Sequence, residues 1–444
     1  MRSVLFSAAF LIPIITVAQF APAADPTVQA IVDSVSQERI AGTMRHLEAF
    51  GTRNSLSSAS DPEHGIGAAR HWLYEQFRGY SPRLQVRYDT WHVRRQGVRI
   101  VRDTDIVNVV AVLPGTVHPD RQILISAHYD SLALVHVPGD EHRIDWEKTA
   151  DAPIAPGVSD DGSGIAAVLE LARAMSQREF PNTVVFIAFA GEEQGLIGST
   201  LYAERARRDG AKIEGVLNND IIGTDVAGDG RRNNRAVNVY SGDPADSPSR
   251  TLARYVKSAA ERYFPAMRVN LVFRDDRFGR GGDHTPFDRA GYAAVRLTTT
   301  TEDYSHQHNP TDTFANASPA YTALVARVNG AALSSLALAP LAPVVARIDR
   351  GKSGYDAVLR WSQPEPEPNL AGYVVMMRAT TAPYWERAVA VGNVHEYTLP
   401  NVSIDDVVFG VKAVDRSGNE SLVAPWAIAA FPNEKFETYG ETPR

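Results

Sequence analysis

Two neighbouring segments in the middle of the chain carry the clearest hydrophobic patterns. Apolar residues recur at helical spacing over residues 164–175, which predicts an amphipathic helix. The following run TVVFIAF, residues 183–189, is short, β-branched and aromatic, as expected of a strand buried on both faces. The acidic pair Asp160-Asp161 precedes the helix, and the pair Glu192-Glu193 follows the strand. Two acidic pairs therefore flank one predicted helix–strand unit.

Helix-like and strand-like runs also alternate on both sides of this unit. The helical patterns cover residues 28–50, 67–77, 249–264 and 320–338, and the strand-like runs are LQVRYDTWHV, IVNVVAVLPG, QILISAHYDS, GVLNNDIIG, AVNVYSG, MRVNLVF and AAVRLTTT. This alternation predicts an α/β domain with a mostly parallel mixed sheet flanked by helices. Residues 132–156 lack periodicity, and we expect them to form a long loop over the ends of the strands.

The pattern changes after residue 340. The short alternating runs YDAVLRW, AGYVVMMR, HEYTLP and DVVFGVKAVD have no helical periodicity, and turn-forming sequences such as RSGNE separate them. They predict a C-terminal all-β sandwich over residues 341–430, followed by a polar tail at 431–444. The order of Trp361, GYVVMMR, YTLP and VVFGVKAVDRSGNES resembles a fibronectin type III module. Such modules usually act in adhesion or as spacers, and the pattern does not identify the partner of this one.

Residues 1–24 have the pattern of a cleaved signal peptide. Arg2 supplies the positive charge, an apolar run covers residues 4–17, and Ala21-Pro22-Ala23 is a small-residue cleavage motif. A retained membrane anchor is the alternative, but the run is shorter than the roughly 20 residues of a spanning helix and contains Pro13. We therefore expect an exported protein, periplasmic or secreted, with no integral membrane segment after signal cleavage.

Composition narrows the classes of function. The 444 residues include 45 Lys and Arg against 52 Asp and Glu, a net charge of −7. Nucleic-acid binders usually show a concentrated basic excess, so we expect no nucleic-acid partner. The chain has no cysteine, which excludes a thiol nucleophile and a thiolate metal site. Any metal ion would have to be held by histidine and carboxylate side chains.

Three further candidate residues follow predicted strands. His128 ends the strand in AHYDS, Asp220 ends the approach in GVLNND, and His308 lies in HNPTDT after AAVRLTTT. Asp130 and Asp312 lie close in sequence to the two histidines and could accept hydrogen bonds from their second ring nitrogens. Each residue alone is equally consistent with a structural or capping role. Ligand sites of open α/β sheets gather beyond the carboxyl ends of the strands, and carboxylates crowded there require a cation.

The motifs AHYDS, GVSDDGSG, AGEEQGLIGS, NNDIIG and HNPTDT, in this order, resemble those of a known enzyme family. This is the co-catalytic dizinc aminopeptidase family of exported bacterial leucyl aminopeptidases, whose relatives include glutamate carboxypeptidases and glutaminyl cyclases. The resemblance covers roughly residues 40–335 and implies a catalytic domain of the zinc aminopeptidase/phosphorylase-like fold at 25–340. It also implies two zinc ions and assigns the site residues as follows: His128 and Asp220 to one ion, Glu193 and His308 to the other, Asp160 as the bridge, Glu192 as general base and then acid, and Asp130 as the residue that orients His128.

The resemblance implies hydrolysis of the N-terminal bond of a peptide or protein by a water that bridges the metal ions. Glu302 and Asp303 are candidates for binding the free amine of the substrate. Tyr304 and Arg280 are candidates for polarising the carbonyl, because Gln307 stands where many members of the family carry a tyrosine.

Two local assignments have competitors. His306 competes with His308 as a ligand, although the spacing to Asp312 favours His308. Asp283 and His284, in GRGGDHTPF, resemble another family segment, which implies that they support the site structurally.

Other activities remain open at this point. A carboxypeptidase or dipeptidase would need a basic anchor, for which Arg280 is available. A glutaminyl cyclase would typically bind one zinc ion, which the full set of five ligands argues against. A non-enzymatic adhesion protein is the interpretation that the C-terminal module suggests, but the intact ligands and the intact GEE motif disfavour it.

Overall fold

The computed structural model of the protein describes residues 24–346 and 356–426. Residues 1–23 of the predicted signal peptide lie outside the described residues, as does the whole predicted tail at 431–444. The domain boundaries, the export of the protein and the fibronectin type III resemblance stay predictions from the sequence. Among the described helices, none combines the length and the apolar character needed to cross a bilayer.

In chain order, the described strands are β1 (Gln85–Val93), β2 (Thr104–Leu113), β3 (His118–His128), β4 (His136–Val137), β5 (Asp140–Ile144), β6 (Asn182–Phe189), β7 (Lys212–Asn219), β8 (Ala236–Tyr240), β9 (Arg268–Val272), β10 (Ala294–Thr299), β11 (Val344–Val345), β12 (Ala357–Ser362), β13 (Leu370–Ala379), β14 (Arg387–Gly392), β15 (Glu396–Leu399), β16 (Val407–Asp415) and β17 (Ala424–Pro425). An eight-stranded mixed sheet occupies the centre of the larger part of the chain, in the order β1-β2-β6-β3-β7-β10-β8-β9. Strands β6, β3, β7 and β10 pair in parallel, whereas β2 and β8 join them antiparallel on either side. The predicted mixed sheet with a parallel centre is thereby confirmed.

Helices cover both faces of this sheet. In chain order, the described helices are α1 (Pro26–Ser34), α2 (Gln37–Ala49), α3 (Gly65–Tyr80), α4 (Trp146–Ala150), α5 (Ser163–Met175), α6 (Ile197–Arg208), α7 (Pro248–Tyr263), α8 (Thr285–Arg289) and α9 (Pro319–Leu338). Successive side chains of a strand point to opposite faces. In β6, Val184 and Phe186 therefore pack in a core shared with α5 and α9, whereas Val185 and Ile187 pack with α6 and α8. This two-sided burial explains why the strand is apolar from Val184 to Phe189.

Two segments differ from their predicted structure. The helical pattern over residues 28–50 forms two helices, because Val35 is extended and Ser36 caps the start of α2, where its hydroxyl accepts a hydrogen bond from Arg39 N at 3.3 Å. The segment 132–156, expected to be a loop without secondary structure, contains the β4–β5 hairpin and the short helix α4. The hairpin and α4 are too short to produce a detectable hydrophobic period in the sequence.

The C-terminal part forms two antiparallel sheets, in the orders β11-β12-β15 and β14-β13-β16-β17. Side chains of both sheets share one core, which contains Trp361 of β12, Val375 of β13 and Phe409 of β16. The predicted all-β sandwich is confirmed in this respect. It contacts α7, where Tyr255 donates a hydrogen bond to the Glu420 carbonyl at 3.2 Å.

Two glycines of α3 provide a test of how tightly this helix packs. A Cβ at Gly67 would lie 2.7 Å from the Cα of Ala59, whereas a Cβ at Gly79 meets nothing within 4 Å. We expect Gly67→Ala to lower the free energy of unfolding by about 1–3 kcal/mol through overpacking. The control Gly79→Ala, in the same helix, should raise it by up to about 1 kcal/mol through helix propensity.

Urea unfolding of the two variants and of the wild type measures both changes. The two changes in the free energy of unfolding need not be equal in size. Destabilisation by Gly79→Ala as large as that by Gly67→Ala would contradict the packing described for α3.

Candidate metal centre

The parallel centre of the sheet explains why the candidate residues meet. His128 is the last residue of β3, Asp220 directly follows β7, and Glu192 and Glu193 follow β6 within a few residues. The carboxyl ends of parallel strands lie at the same edge of a sheet, where ligand sites of α/β proteins form. Strand pairing thus brings together side chains that are far apart in the sequence. Ser126 of β3 pairs with Asn218 of β7, for example, although 92 positions separate them.

Asp160 lies at the centre of the cluster. Its Oδ1 is 3.1 Å from His128 Nε2, and its Oδ2 is 3.3 Å from His308 Nε2. His308 Nε2 also lies 3.1 Å from Glu193 Oε2, and His128 Nε2 lies 3.9 Å from Asp220 Oδ1. Each histidine therefore faces its own additional carboxylate, and Asp160 faces both histidines.

The donor atoms fit a divalent cation. His128, Asp160 and Glu193 form one group of atoms within 4.8 Å of one another, and His128, Glu192 and Asp220 form a second. Glu193 is 3% exposed, yet its Oε1 has no hydrogen-bond partner in the described structure. A buried carboxylate oxygen without a partner is costly, and a metal ion would satisfy it. By distance, Glu192 could itself be a ligand of the cation, or it could lie beside the cation without binding it.

The charges of the cluster cancel only in part. Burial acts to raise the pKa of Asp160, but hydrogen bonds from His128 and His308 hold it well below its ordinary value. Burial raises the pKa of Glu192 far above that of an exposed carboxyl, and the neighbouring Glu193 and Asp220 add to the shift. Burial lowers the affinity of His308 for a proton, but Glu193 and Asp160 outweigh it and raise the pKa of this histidine to about 11. Perturbed groups of this kind cluster at functional sites, and a bound cation would offset the excess of negative charge.

Asp161 has a different role from its neighbour in the acidic pair. Its carboxylate accepts hydrogen bonds from the backbone N–H of His128, Gly164 and Ile221, at 3.3, 3.0 and 3.2 Å. It therefore holds the ends of β3 and β7 and the start of α5 together. Gly164 permits the approach, because a Cβ there would lie 2.6 Å from Asp161 Oδ1.

Asp312 does not contact His308 in the way that its sequence spacing suggested. Its two oxygens accept hydrogen bonds from the backbone N–H of Ser159 at 2.8 Å and of Asp160 at 3.0 Å. Asp312 thus fixes the backbone that carries Asp160. His308 adopts a φ of 50°, uncommon for a residue other than glycine, and its carbonyl accepts from Leu134 N at 3.0 Å.

Asp130 contacts the ring of His128 mainly through its backbone. The carbonyl of Asp130 lies 3.1 Å from His128 Nδ1, and its carboxylate Oδ1 lies at 3.6 Å. Asp130 Oδ2 accepts hydrogen bonds from the Ser55 hydroxyl at 3.2 Å and from Glu193 N at 3.3 Å. Asp130 therefore connects the histidine at the end of β3 with the glutamate after β6.

Two buried arginines support the site, and the sequence analysis missed both. Arg296, in β10, is fully buried and lies 3.0 Å from Asp220 Oδ1 and 2.8 Å from Asp276 Oδ2. Arg53 is also fully buried and donates to the carbonyls of Leu47, Tyr129 and Gly157 at 2.9, 2.7 and 2.8 Å. The signal for Arg296 was a single arginine within the apolar run AAVRLTTT, whereas Arg53 lies in a polar loop with no distinguishing pattern.

Several peripheral candidates lie away from the donor atoms or are already bonded. Tyr304 is 63% exposed. Asp303 accepts a hydrogen bond from Ser305 N at 3.0 Å, and His306 Nδ1 lies 2.8 Å from the Thr311 hydroxyl. His306 is therefore turned to another partner, whereas His308 faces Asp160 and Glu193.

Arg280, Gln307 and Asp160 form a chain of hydrogen bonds at the edge of the cluster. Arg280 Nη1 donates to Gln307 Oε1 at 2.9 Å, and Gln307 Nε2 donates to Asp160 Oδ2 at 3.4 Å. A guanidinium only donates and a carboxylate only accepts, so the amide orientation follows from its two partners.

Asp283 and His284 lie buried beside the cluster. His284 Nε2 is 2.8 Å from the Asp275 carbonyl. Burial raises the pKa of Asp283 to about 7. Neither belongs to the two groups of possible ligands among the described residues. Their supporting role stays a prediction from the resemblance.

Comparison with known proteins shows the family of the chain. The model of "Peptidase family M28" matches residues 108–333, and a "Probable zinc metalloprotease" of Pyricularia oryzae is 38% identical over 89% of this chain and 84% of its own length. The chain belongs to peptidase family M28. The fold of this M28 peptidase is similar to that of LapB from Legionella pneumophila (TM-score 0.55, 19% identity, covering 72% of this chain and 78% of LapB). It is also similar to Fimbriiglobus ruber glutaminyl cyclase (TM-score 0.50, 20% identity, covering 68% and 95%).

The two nearby histidines provide a matched test of the metal centre. We expect His308→Ala to weaken Zn²⁺ binding by at least about tenfold, because it removes a donor that faces two carboxylates. The control His306→Ala should bind Zn²⁺ like the wild type. Titration of metal-free protein against a chromophoric chelator measures both affinities. Wild-type affinity in His308→Ala, or equal losses in the two variants, would contradict the geometry of the site.

Proposed function

We propose that this M28 peptidase is a zinc-dependent aminopeptidase. The observation that carries the proposal is the position of Asp160, which faces both His128 and His308 with a different oxygen each. A carboxylate between two sets of donors could contact two neighbouring metal ions at once. His128 and Asp220 would hold one zinc ion, Glu193 and His308 would hold the other, and Asp160 would bridge them.

Zinc suits the available donors. The imidazoles and carboxylates named above are the nitrogen and oxygen ligands that zinc accepts in proteins without cysteine. When bound, zinc supplies a Lewis acid that polarises the scissile carbonyl and lowers the pKa of a bound water. The relative from Pyricularia oryzae, which is described as a probable zinc metalloprotease, supports this choice of metal.

Glu192 would act as the general base and then as the general acid. It is only partly buried and lies in one group with His128 and Asp220, so it is close to the donors and still accessible from outside. Its carboxylate would take the proton of the attacking water and return it to the leaving amine. Burial among the neighbouring carboxylates raises the pKa of Glu192 above that of an exposed carboxyl, so it accepts a proton more readily than an exposed glutamate would.

Glu302 supports an exopeptidase acting on a free N-terminus. It lines a small cavity together with Asp160 and Gln307. Burial and the nearby Asp160 raise the pKa of Glu302 to about 7, so a cation beside it would be stabilising. The α-ammonium group of a peptide is such a cation. Arg280, the candidate anchor for a substrate carboxylate in a carboxypeptidase, is already bonded to Gln307.

Glutaminyl cyclase is the second candidate, favoured by the similarity of the fold to that of the Fimbriiglobus ruber cyclase. Two histidines that both face Asp160, each with a further carboxylate of its own, favour the aminopeptidase. Products distinguish the two activities, because a cyclase would release ammonia from an N-terminal glutamine and leave the peptide bond intact.

Substitution of the proposed base tests the mechanism. We expect Glu192→Gln to lower kcat for an unblocked leucine anilide by at least about 100-fold, since general acid–base catalysis typically contributes 10²–10⁴-fold. Zinc content and the melting temperature should stay close to those of the wild type. Steady-state kinetics and elemental analysis of the same preparations measure these quantities. Turnover at the wild-type rate in a zinc-loaded Glu192→Gln protein would remove Glu192 from the mechanism.

A further inference from the structure

Arg296 is unusual in its position within the fold. It is the third residue of β10, a strand whose residues are all buried, and its own side chain has no exposed surface. Arginine is almost never fully buried unless its charge is paired. Here the charge is paired twice, because the guanidinium lies between two buried carboxylates, those of Asp220 and Asp276.

Arg296 contacts the carboxylate oxygen of Asp220 that faces the metal centre. Arg296 Nη2 lies 3.0 Å from Asp220 Oδ1, and the same oxygen lies 3.9 Å from His128 Nε2. Arg296 therefore holds the oxygen that faces the cluster. The contact with Oδ1 is an ion pair, whereas the hydrogen bond of Arg296 Nη2 goes to the Asp220 backbone carbonyl at 3.4 Å. The lone pairs of Oδ1 are therefore available to a cation.

The contact with Asp276 balances the charge. Arg296 Nη1 donates to both oxygens of Asp276, at 3.0 and 2.8 Å, and the side chain of Asp276 is 1% exposed. Without Asp276, the guanidinium would cancel the charge that Asp220 offers to a cation. With it, the side chains of Asp220, Arg296 and Asp276 together retain one negative charge. Arg277 Nε also lies 3.2 Å from Asp276 Oδ1, but its side chain is partly exposed.

We propose that Arg296 is a positioning residue that fixes Asp220 in the metal centre, with Asp276 as the counter-charge that preserves the negative charge of Asp220. This inference rests on the metal-dependent function proposed above. A purely structural role would be different: Arg296 would only attach β10 to the segment that carries Asp276, and its loss would lower stability without changing the metal centre.

A double variant separates the two roles at constant net charge. Arg296→Met combined with Asp276→Asn removes one positive and one negative charge, so Asp220 remains the single charged member. We expect Zn²⁺ affinity to fall by about 10–100-fold, the usual effect of removing a group that orients a ligand. The visible spectrum of the Co²⁺-substituted protein should change, because Asp220 is no longer fixed.

Arg121→Met combined with Glu214→Gln is the matched control. Arg121 and Glu214 form another buried arginine–carboxylate pair, at the start of β3 and in β7, away from the carboxyl ends of these strands. This double variant should melt at a lower temperature than the wild type and bind Zn²⁺ with wild-type affinity. An equal loss of Zn²⁺ affinity in both double variants, or wild-type affinity and spectrum in the variant without Arg296, would overturn the proposal.

Asp276→Asn alone keeps the proposal testable if the double variant does not fold. Arg296 would still hold Asp220, but its uncompensated charge would repel a cation. We expect Zn²⁺ affinity about tenfold lower than that of the wild type, with an unchanged Co²⁺ spectrum. Unchanged Zn²⁺ affinity in this variant would also overturn the proposal. A wild-type protein that binds no Zn²⁺ would instead refute the proposed function.

Discussion

The structure depends on the burial of many carboxylates at one edge of a parallel sheet. Buried carboxylates close to one another raise one another's pKa, and their repulsion opposes folding unless positive charges or N–H donors face them. The chain supplies these partners in part: backbone N–H groups bond to Asp161 and Asp312, and Arg296 pairs with Asp220. Glu193 keeps a buried oxygen without a partner, which is the physical reason to expect a cation.

The sheet order determines which carboxylates can share that cation. β6, β3 and β7 are neighbours, so Glu193, His128 and Asp220 lie side by side although they come from separate parts of the chain. Asp160 and His308 come from the segments between the strands, and other such segments fix their positions. The Asp312 carboxylate accepts a hydrogen bond from Asp160 N, and Leu134 N donates one to the His308 carbonyl. These segments are therefore positioned relative to each other as well as to the sheet.

The sequence predicted the strands and the residues at their ends, because apolar runs identify buried strands and parallel pairing aligns their carboxyl ends. It did not predict which partner each side chain meets. Asp312 was assigned to His308 from spacing, but it bonds to the backbone at Ser159 and Asp160. Arg296 and Asp276 are about twenty positions apart and meet only through tertiary packing. Such contacts leave no periodic pattern, so local sequence cannot indicate them.

The most direct test of the account is hydrolysis of one peptide in two forms, with a free N-terminus and with an N-acetyl group, by the zinc-loaded protein. The account predicts that only the free form is cleaved and that its first residue is released. Acetylation removes the ammonium charge but leaves the scissile bond available to the metal centre. Cleavage of both forms at similar rates, or release of a C-terminal residue, would contradict the assignment as an aminopeptidase.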